Sequence, residues 1–63
     1  MRNRLQELRW NKQWSQTQLS RRSGVPQSVI AKIETGISLN PSVFTAIRLA
    51  RALNVTVEDI FIV

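Results

Sequence analysis

Gln27, Ser28, Ala31, Lys32 and Thr35 are the residues whose types and spacing bear most directly on chemistry. On a helix of 100° per residue they fall within an arc of about 140°. Val29, Ile30 and Ile33 fall on the opposite side. The first face offers an amide, two hydroxyls and one ammonium, a set suited to reading a polar surface such as DNA. The plainer alternative is a solvated face, but such a face more often carries Glu–Lys pairs, and this one carries none. The chain contains no histidine and no cysteine. Zinc sites, disulfides and imidazole acid–base chemistry are therefore excluded, and no nucleophile–base pair is available. An enzyme, a metal site and a cofactor are not expected.

That face needs elements to hold it. Ser15 with Gln18 forms an S-x-x-Q capping box, which starts a helix at Gln16. Gly24 suits the positive φ that ends a helix. Val25 and Pro26 turn the chain, and a second helical pattern covers residues 27–35. Two short helices joined by a tight Gly-containing turn match a helix-turn-helix over residues 16–35. Leu19, Val25, Ile30 and Ile33 supply the apolar lock between them, and Ser20 is small enough to let the helices approach.

The remaining residues predict three more helices and no sheet. Residues 1–12 form the first, with Leu5 and Leu8 facing inward. Arg9 lies about 40° from Leu5 on the wheel, so it needs a buried partner. Glu34, bordering Ile33, is the acid best placed to pair with it. Trp14, just before the cap, reads as a hydrophobic staple, and Trp10 points away from the core. Gly36 ends the third helix, and residues 37–40 form a loop. Asn40 as cap and Pro41 in the first turn open a fourth helix that reaches Leu53. Val43, Ala46, Ile47, Ala50 and Leu53 are its expected inner face. Thr56 caps a fifth helix, with Glu58 and Asp59 at its positive end. Ile60 and Phe61 return to the core, leaving Ile62 and Val63 as an apolar end.

Sixty-three residues make a single domain, 1–63, and one of this size buries only about 60% of its unfolded surface. Oligomerisation is the common remedy once disulfides and metals are excluded. Nine Lys and Arg against four Asp and Glu give a net charge of +5, which favours a polyanionic partner. No apolar run approaches the roughly 18 residues of a membrane span, and no signal segment follows Met1. A cytoplasmic, nucleoid-associated location is expected.

The sequence resembles the Cro/cI-type, or lambda-repressor-like, helix-turn-helix family. The likeness rests on L-x-x-L-R at Leu5–Arg9, W-S-Q-x-x-L at Trp14–Leu19, and G-V-x-x-x-x-I-x-x-I-E-x-G at Gly24–Gly36. It extends through N-P-S at Asn40–Ser42 and L-A-x-A-L-N-V to E-D-I-F at Glu58–Phe61. It implies an all-α, five-helix DNA-binding domain with helices two and three as the motif. It implies that Gln27, Ser28 and Lys32 reach base edges in the major groove, where Gln suits adenine and Lys suits guanine. It assigns Gln16, Thr35, Asn40 and Ser42 to phosphates, with Gln16 also bracing the first residue of the recognition helix. Arg9 and Glu34 match a buried ion pair of the family's phage members. Three features depart from the family pattern. Pro26 stands where a capping Ser or Thr is usual, Ile37 and Leu39 replace polar loop residues, and Phe44 replaces a polar one.

The expected function is a stand-alone homodimeric repressor that binds an inverted-repeat operator in double-stranded DNA, without a small-molecule effector. Phe44, Phe61, Ile62, Val63 and Trp10 are the candidate dimer contacts. Two other readings stay open: an antitoxin that binds DNA and a toxin, and a protein-interaction domain with no DNA role.

Overall fold

The computed structural model describes residues 2–36 and 41–62. In chain order they form β1 (Arg2–Asn3), α1 (Leu5–Asn11), α2 (Gln16–Ser23), α3 (Gln27–Glu34), α4 (Val43–Leu53), α5 (Val57–Ile60) and β2 (Phe61–Ile62). The class is all-α with five helices, as the sequence predicts, and two short strands are added to it.

Local chemistry explains most helix ends. The Ser15 hydroxyl accepts the Gln18 N–H at 3.1 Å while the Gln18 side chain accepts the Ser15 N–H at 2.7 Å, so the capping box at α2 is complete. Gly24 ends α2 with φ 78°, in the left-handed region where any Cβ is strained. A second capping box opens α5: Thr56 Oγ1 accepts from the Asp59 N–H, and Asp59 Oδ2 accepts from the Thr56 N–H. The Thr56 N–H and hydroxyl hold the Asp59 carboxyl below its usual range. Asn54, also left-handed at φ 57°, closes α4.

Three expectations need correction. The first helix does not start at the amino terminus. Arg2 and Asn3 instead pair antiparallel with Ile62 and Phe61, and the Arg4 N–H donates to the Ile60 carbonyl at 2.7 Å. The two ends of the described chain are thus joined by backbone hydrogen bonds, and α1 starts only at Leu5. The cap of α4 is Ser42, whose hydroxyl accepts from the Thr45 N–H at 3.1 Å, so the helix begins two residues beyond Pro41. Asn40, expected to cap it, lies outside the described residues, as do Ile37 and Leu39.

The third correction concerns the inner face of α4. Ala46, Leu49, Ala50 and Leu53 are buried, whereas Val43 is 72% exposed and Ile47 lies at the surface. Apolar residues run nearly all the way round this helix (Val43, Phe44, Ala46, Ile47, Leu49, Ala50, Ala52, Leu53), so their spacing alone cannot choose a side. Packing against α2 and α5 makes the choice, with Leu49 at the centre. The core is completed by Leu5, Leu19, Val25, Ile30, Ile33, Ile60 and Phe61, with Leu8 and Trp14 packed partly buried at its edge. No helix among the described residues is long and apolar enough to cross a membrane.

The rotated face is testable by urea unfolding. Leu49→Ala should cost about 2–5 kcal/mol through the cavity it leaves. Val43→Ala should change stability by no more than about 0.5 kcal/mol. Equal costs at the two positions would contradict this packing.

Candidate nucleic-acid interface

The helix-turn-helix is built by α2 and α3 with Gly24, Val25 and Pro26 between them. Val25 is buried, and its N–H is held by the Ser23 hydroxyl at 3.1 Å, which fixes the turn from inside. Along α3, Ile30 and Ile33 are completely buried. Gln27, Ser28 and Lys32 are exposed, Ala31 is half-buried, and Thr35 follows the helix on the exposed side. Pro26 stands at the N-cap and offers no side-chain hydrogen bond. The first turn of α3 is therefore uncapped by any side chain, which leaves its positive end open to an anion.

A buried polar network holds α3 from behind. Arg9 Nε donates to Glu34 Oε2 at 2.8 Å and Arg9 Nη2 to Glu34 Oε1 at 2.9 Å, a bidentate pair between α1 and the last turn of α3. The side chains are only 8% and 3% exposed, so neither charge has an alternative partner in water. Arg9 Nη1 donates to the Trp14 carbonyl at 2.8 Å, tying the same guanidinium to the chain entering α2. Hydrogen bonding to Glu34 raises the Arg9 pKa above its usual value despite the opposing effect of burial. Gln16 Nε2 joins the network by donating to Glu34 Oε1 at 3.2 Å. From β1, Asn3 Nδ2 donates to the Ile33 carbonyl at 2.8 Å, anchoring the far end of α3 to the strand pair.

The sequence-expected residues thus fall into distinct groups. Gln27, Ser28 and Lys32 share one exposed surface, and Arg9 and Glu34 are joined. Gln16 does not brace Gln27: it bonds Glu34, and Thr17 Oγ1 reaches Gln27 Oε1 at 3.1 Å instead. The Thr35 hydroxyl donates to the Ala31 and Lys32 carbonyls at 3.0 and 3.1 Å, so its proton is committed to its own helix. Ser42 is exposed and serves as the α4 cap, with its hydroxyl also donating to Thr45 Oγ1 at 2.9 Å. Asn40 lies outside the described residues.

Among the apolar candidates for pairing, Phe44 is 77% exposed and Trp10 is also exposed, whereas Phe61 is 8% exposed and belongs to this chain's own core. The Ile62 side chain and Val63 lie outside the described residues. Phe61 therefore presents little surface to a second copy. Exposed cations surround the motif at Lys12, Arg21, Arg22 and Lys32. The Arg22 guanidinium lies 4.6 Å from the Trp14 ring centroid and the Lys12 ammonium 5.9 Å from it.

Thr17 and Asn3 were not legible in the sequence. Thr17 sits next to Gln16 in the first turn of α2, about 100° round the helix, and nothing in the pattern says which of the two faces Gln27. Asn3 acts from a strand that exists only because the other end of the chain returns to it.

Residues 5–60 match the sequence pattern of the helix-turn-helix family. The chain belongs to the Cro/cI-type helix-turn-helix family. This is a family of DNA-binding transcriptional regulators and not an enzymatic class. Its similarity to an uncharacterized HTH-type transcriptional regulator of Archaeoglobus fulgidus is 40% identity over 62 residues, covering 98% of this chain and 86% of the relative. A second such regulator of that organism is 37% identical over 62 residues, with 98% and 87% covered. The uncharacterized HTH-type transcriptional regulator YgzD of Bacillus subtilis is 34% identical over 61 residues, with 97% and 91% covered.

In this helix-turn-helix protein the ion pair is open to a direct test by denaturant unfolding. Arg9→Met alone strands the Glu34 carboxylate and should cost about 3–5 kcal/mol. Adding Glu34→Leu to Arg9→Met should recover most of that loss, because an apolar pair of similar volume replaces a desolvated ionic one. Equal destabilisation by the single and double variants would contradict the account.

Proposed function

We propose that this regulator is a homodimeric repressor that reads an inverted-repeat operator through α3 in the major groove. The reading rests on one observation: Gln27, Ser28 and Lys32 stand together on the exposed side of α3, and Ile30 and Ile33 fill its buried side. An adenine can take the paired donor and acceptor of the Gln27 amide, and a guanine can take the Lys32 ammonium. Ser28 completes the base-reading surface. Gln16 and Ser42, with Asn40 and Thr35, contact the flanking phosphates. Of these, Gln16, Thr35 and Ser42 already have partners within the protein, so the hold on the backbone is light for the family.

Two copies would place their α3 helices about 34 Å apart, one turn of DNA, and repress by occupying sequence that polymerase needs. The surface offered to the second copy is apolar: Phe44 with its neighbours Val43 and Ile47 on α4, and Trp10 on α1. Such a regulator works in the cytoplasm, on the nucleoid.

Binding to a duplex selected from random DNA, followed by fluorescence anisotropy, tests the reading. A binder neutralising 6–10 phosphates should lose on the order of 10³–10⁵ in affinity from 50 to 200 mM salt. Gln27→Ala and Lys32→Ala should each cost about 1–3 kcal/mol on that duplex and relax the preference for one base pair. Gln27→Ala leaving both affinity and preference intact would refute the assigned face. Pairing is tested separately by sedimentation. The chain should form a dimer at high micromolar concentration, and Phe44→Lys should shift it toward monomer. A wild-type monomer under those conditions would turn the exposed α4 face over to a different protein partner.

A further inference from the structure

We propose that Asn3 is a positioning residue for DNA reading: from the strand pair it fixes the C-terminal end of α3, and with it the base contact of Lys32. The proposal rests on Lys32 being a base-contacting residue. Asn3 is half-buried in β1, and its amide bonds the carbonyl of Ile33, the residue next to Lys32.

The partners of Asn3 leave its amide one orientation. Nδ2 donates to the Ile33 carbonyl at 2.8 Å, and Oδ1 accepts from the Leu5 N–H at 3.2 Å. A carbonyl can only accept and a backbone N–H can only donate, so a reversed amide would lose both bonds. The Ile33 carbonyl is one of the four that an α-helix leaves unpaired at its end. It also takes the Gly36 N–H at 3.1 Å, so both of its lone pairs are used. Asn3 thus closes the end of α3 from a different element, while the same side chain serves the first N–H of α1.

The backbone of Asn3 is equally fixed. It pairs with Phe61, whose side chain lies in the core, and the N–H of the next residue donates to the Ile60 carbonyl at 2.7 Å. A continuous line of bonds therefore runs from the core through β2 and β1 to the main chain of α3. The Arg9–Glu34 pair holds the same end of α3 through a side chain. One tie leaves a helix free to pivot about it, and a second tie, made to the main chain, removes that freedom. The other end of α3 is held by the buried turn at Val25, so loosening Asn3 moves the C-terminal end most. Lys32 lies at that end, whereas Gln27 lies about 7.5 Å away along the axis, at about 1.5 Å per residue. The effect of Asn3 therefore falls on the base pair read by Lys32 and spares the one read by Gln27.

The test uses the full chain and a duplex selected from random DNA, with two altered duplexes. One is changed at the base pair whose preference Lys32→Ala relaxes, the other at the pair relaxed by Gln27→Ala. Asn3→Asp keeps the shape and the acceptor for Leu5 but removes the donor to Ile33. Asn3→Ser removes that donor without adding a charge. Affinities are compared under conditions where urea unfolding shows each variant to be fully folded. Both variants should lower the preference at the Lys32 base pair roughly fivefold, the size of one neutral hydrogen bond, and keep the wild-type preference at the Gln27 pair. Neither should change preference further in a Lys32→Ala background. The added charge of Asn3→Asp weakens all three duplexes alike and cancels in these ratios. If both preferences survive in both variants, or fall together, the role of Asn3 is structural only and the positioning role is overturned while the base contact stands. A fall confined to Asn3→Asp would be an effect of charge and would overturn it equally. If Lys32→Ala relaxes no base pair, or selection enriches no duplex, the base contact and the positioning role fall together.

Discussion

The Arg9–Glu34 pair is the constraint on which the rest of the motif depends. Burying two charges is costly, and the cost is offset only when every donor and acceptor has a well-placed partner. Here the guanidinium makes two bonds to the carboxylate and one to the Trp14 carbonyl, while the carboxylate takes a further bond from Gln16. Apolar contacts tolerate sliding and rotation, whereas a planar, bidentate pair does not. The pair therefore orients what the core merely holds together. It sets α3 relative to α1 and the start of α2, and so sets where Gln27, Ser28 and Lys32 point.

A domain of this size has little core to spare, and the structure shows how the shortage is met. Local devices define the elements: capping boxes at Ser15 and Thr56, a hydroxyl cap at Ser42, and left-handed Gly24 and Asn54. Long-range polar bonds then join them at few points. Asn3 holds the end of α3, and the Arg2–Asn3 strand pairs with Phe61–Ile62, so the chain's two ends support the same helix. The arrangement leaves α4 with a second apolar side facing outward at Val43, Phe44 and Ile47. In the proposed dimer that outward side receives the second copy, since burying it would add apolar area that a single small chain lacks.

The reading surface is shaped as much by what is missing as by what is present. Pro26 gives α3 no side-chain cap, so the helix start is left to its backbone donors. Thr35 turns its hydroxyl inward onto α3 carbonyls, and Gln16 turns its amide onto Glu34. Two of the side chains proposed to meet the DNA backbone thus already bond within the protein. In the proposed reading, recognition rests correspondingly more on Gln27, Ser28 and Lys32.

The sequence by itself determined whatever depends on neighbours within a turn or on a strict shortage of residue types. Ser15 with Gln18, Gly24 and Thr56 mark helix ends through hydrogen bonds and φ values that close within three or four residues. The wheel separates Ile30 and Ile33 from Gln27, Ser28 and Lys32 because α3 has apolar residues on one side only. Arg9 could be matched to Glu34 because a charge on an apolar face demands an acid and the chain holds only four. The tertiary structure alone decided the inner face of α4, where apolar residues on nearly all sides make periodicity silent and Leu49 is selected by packing. It alone decided the β1–β2 pairing, since two-residue strands carry no pattern of their own and exist only where the ends of the chain meet. And it alone decided that Thr17, rather than Gln16, meets Gln27: adjacent residues on one helix differ by about 100° in direction, and the network around Arg9 settles which of them turns inward.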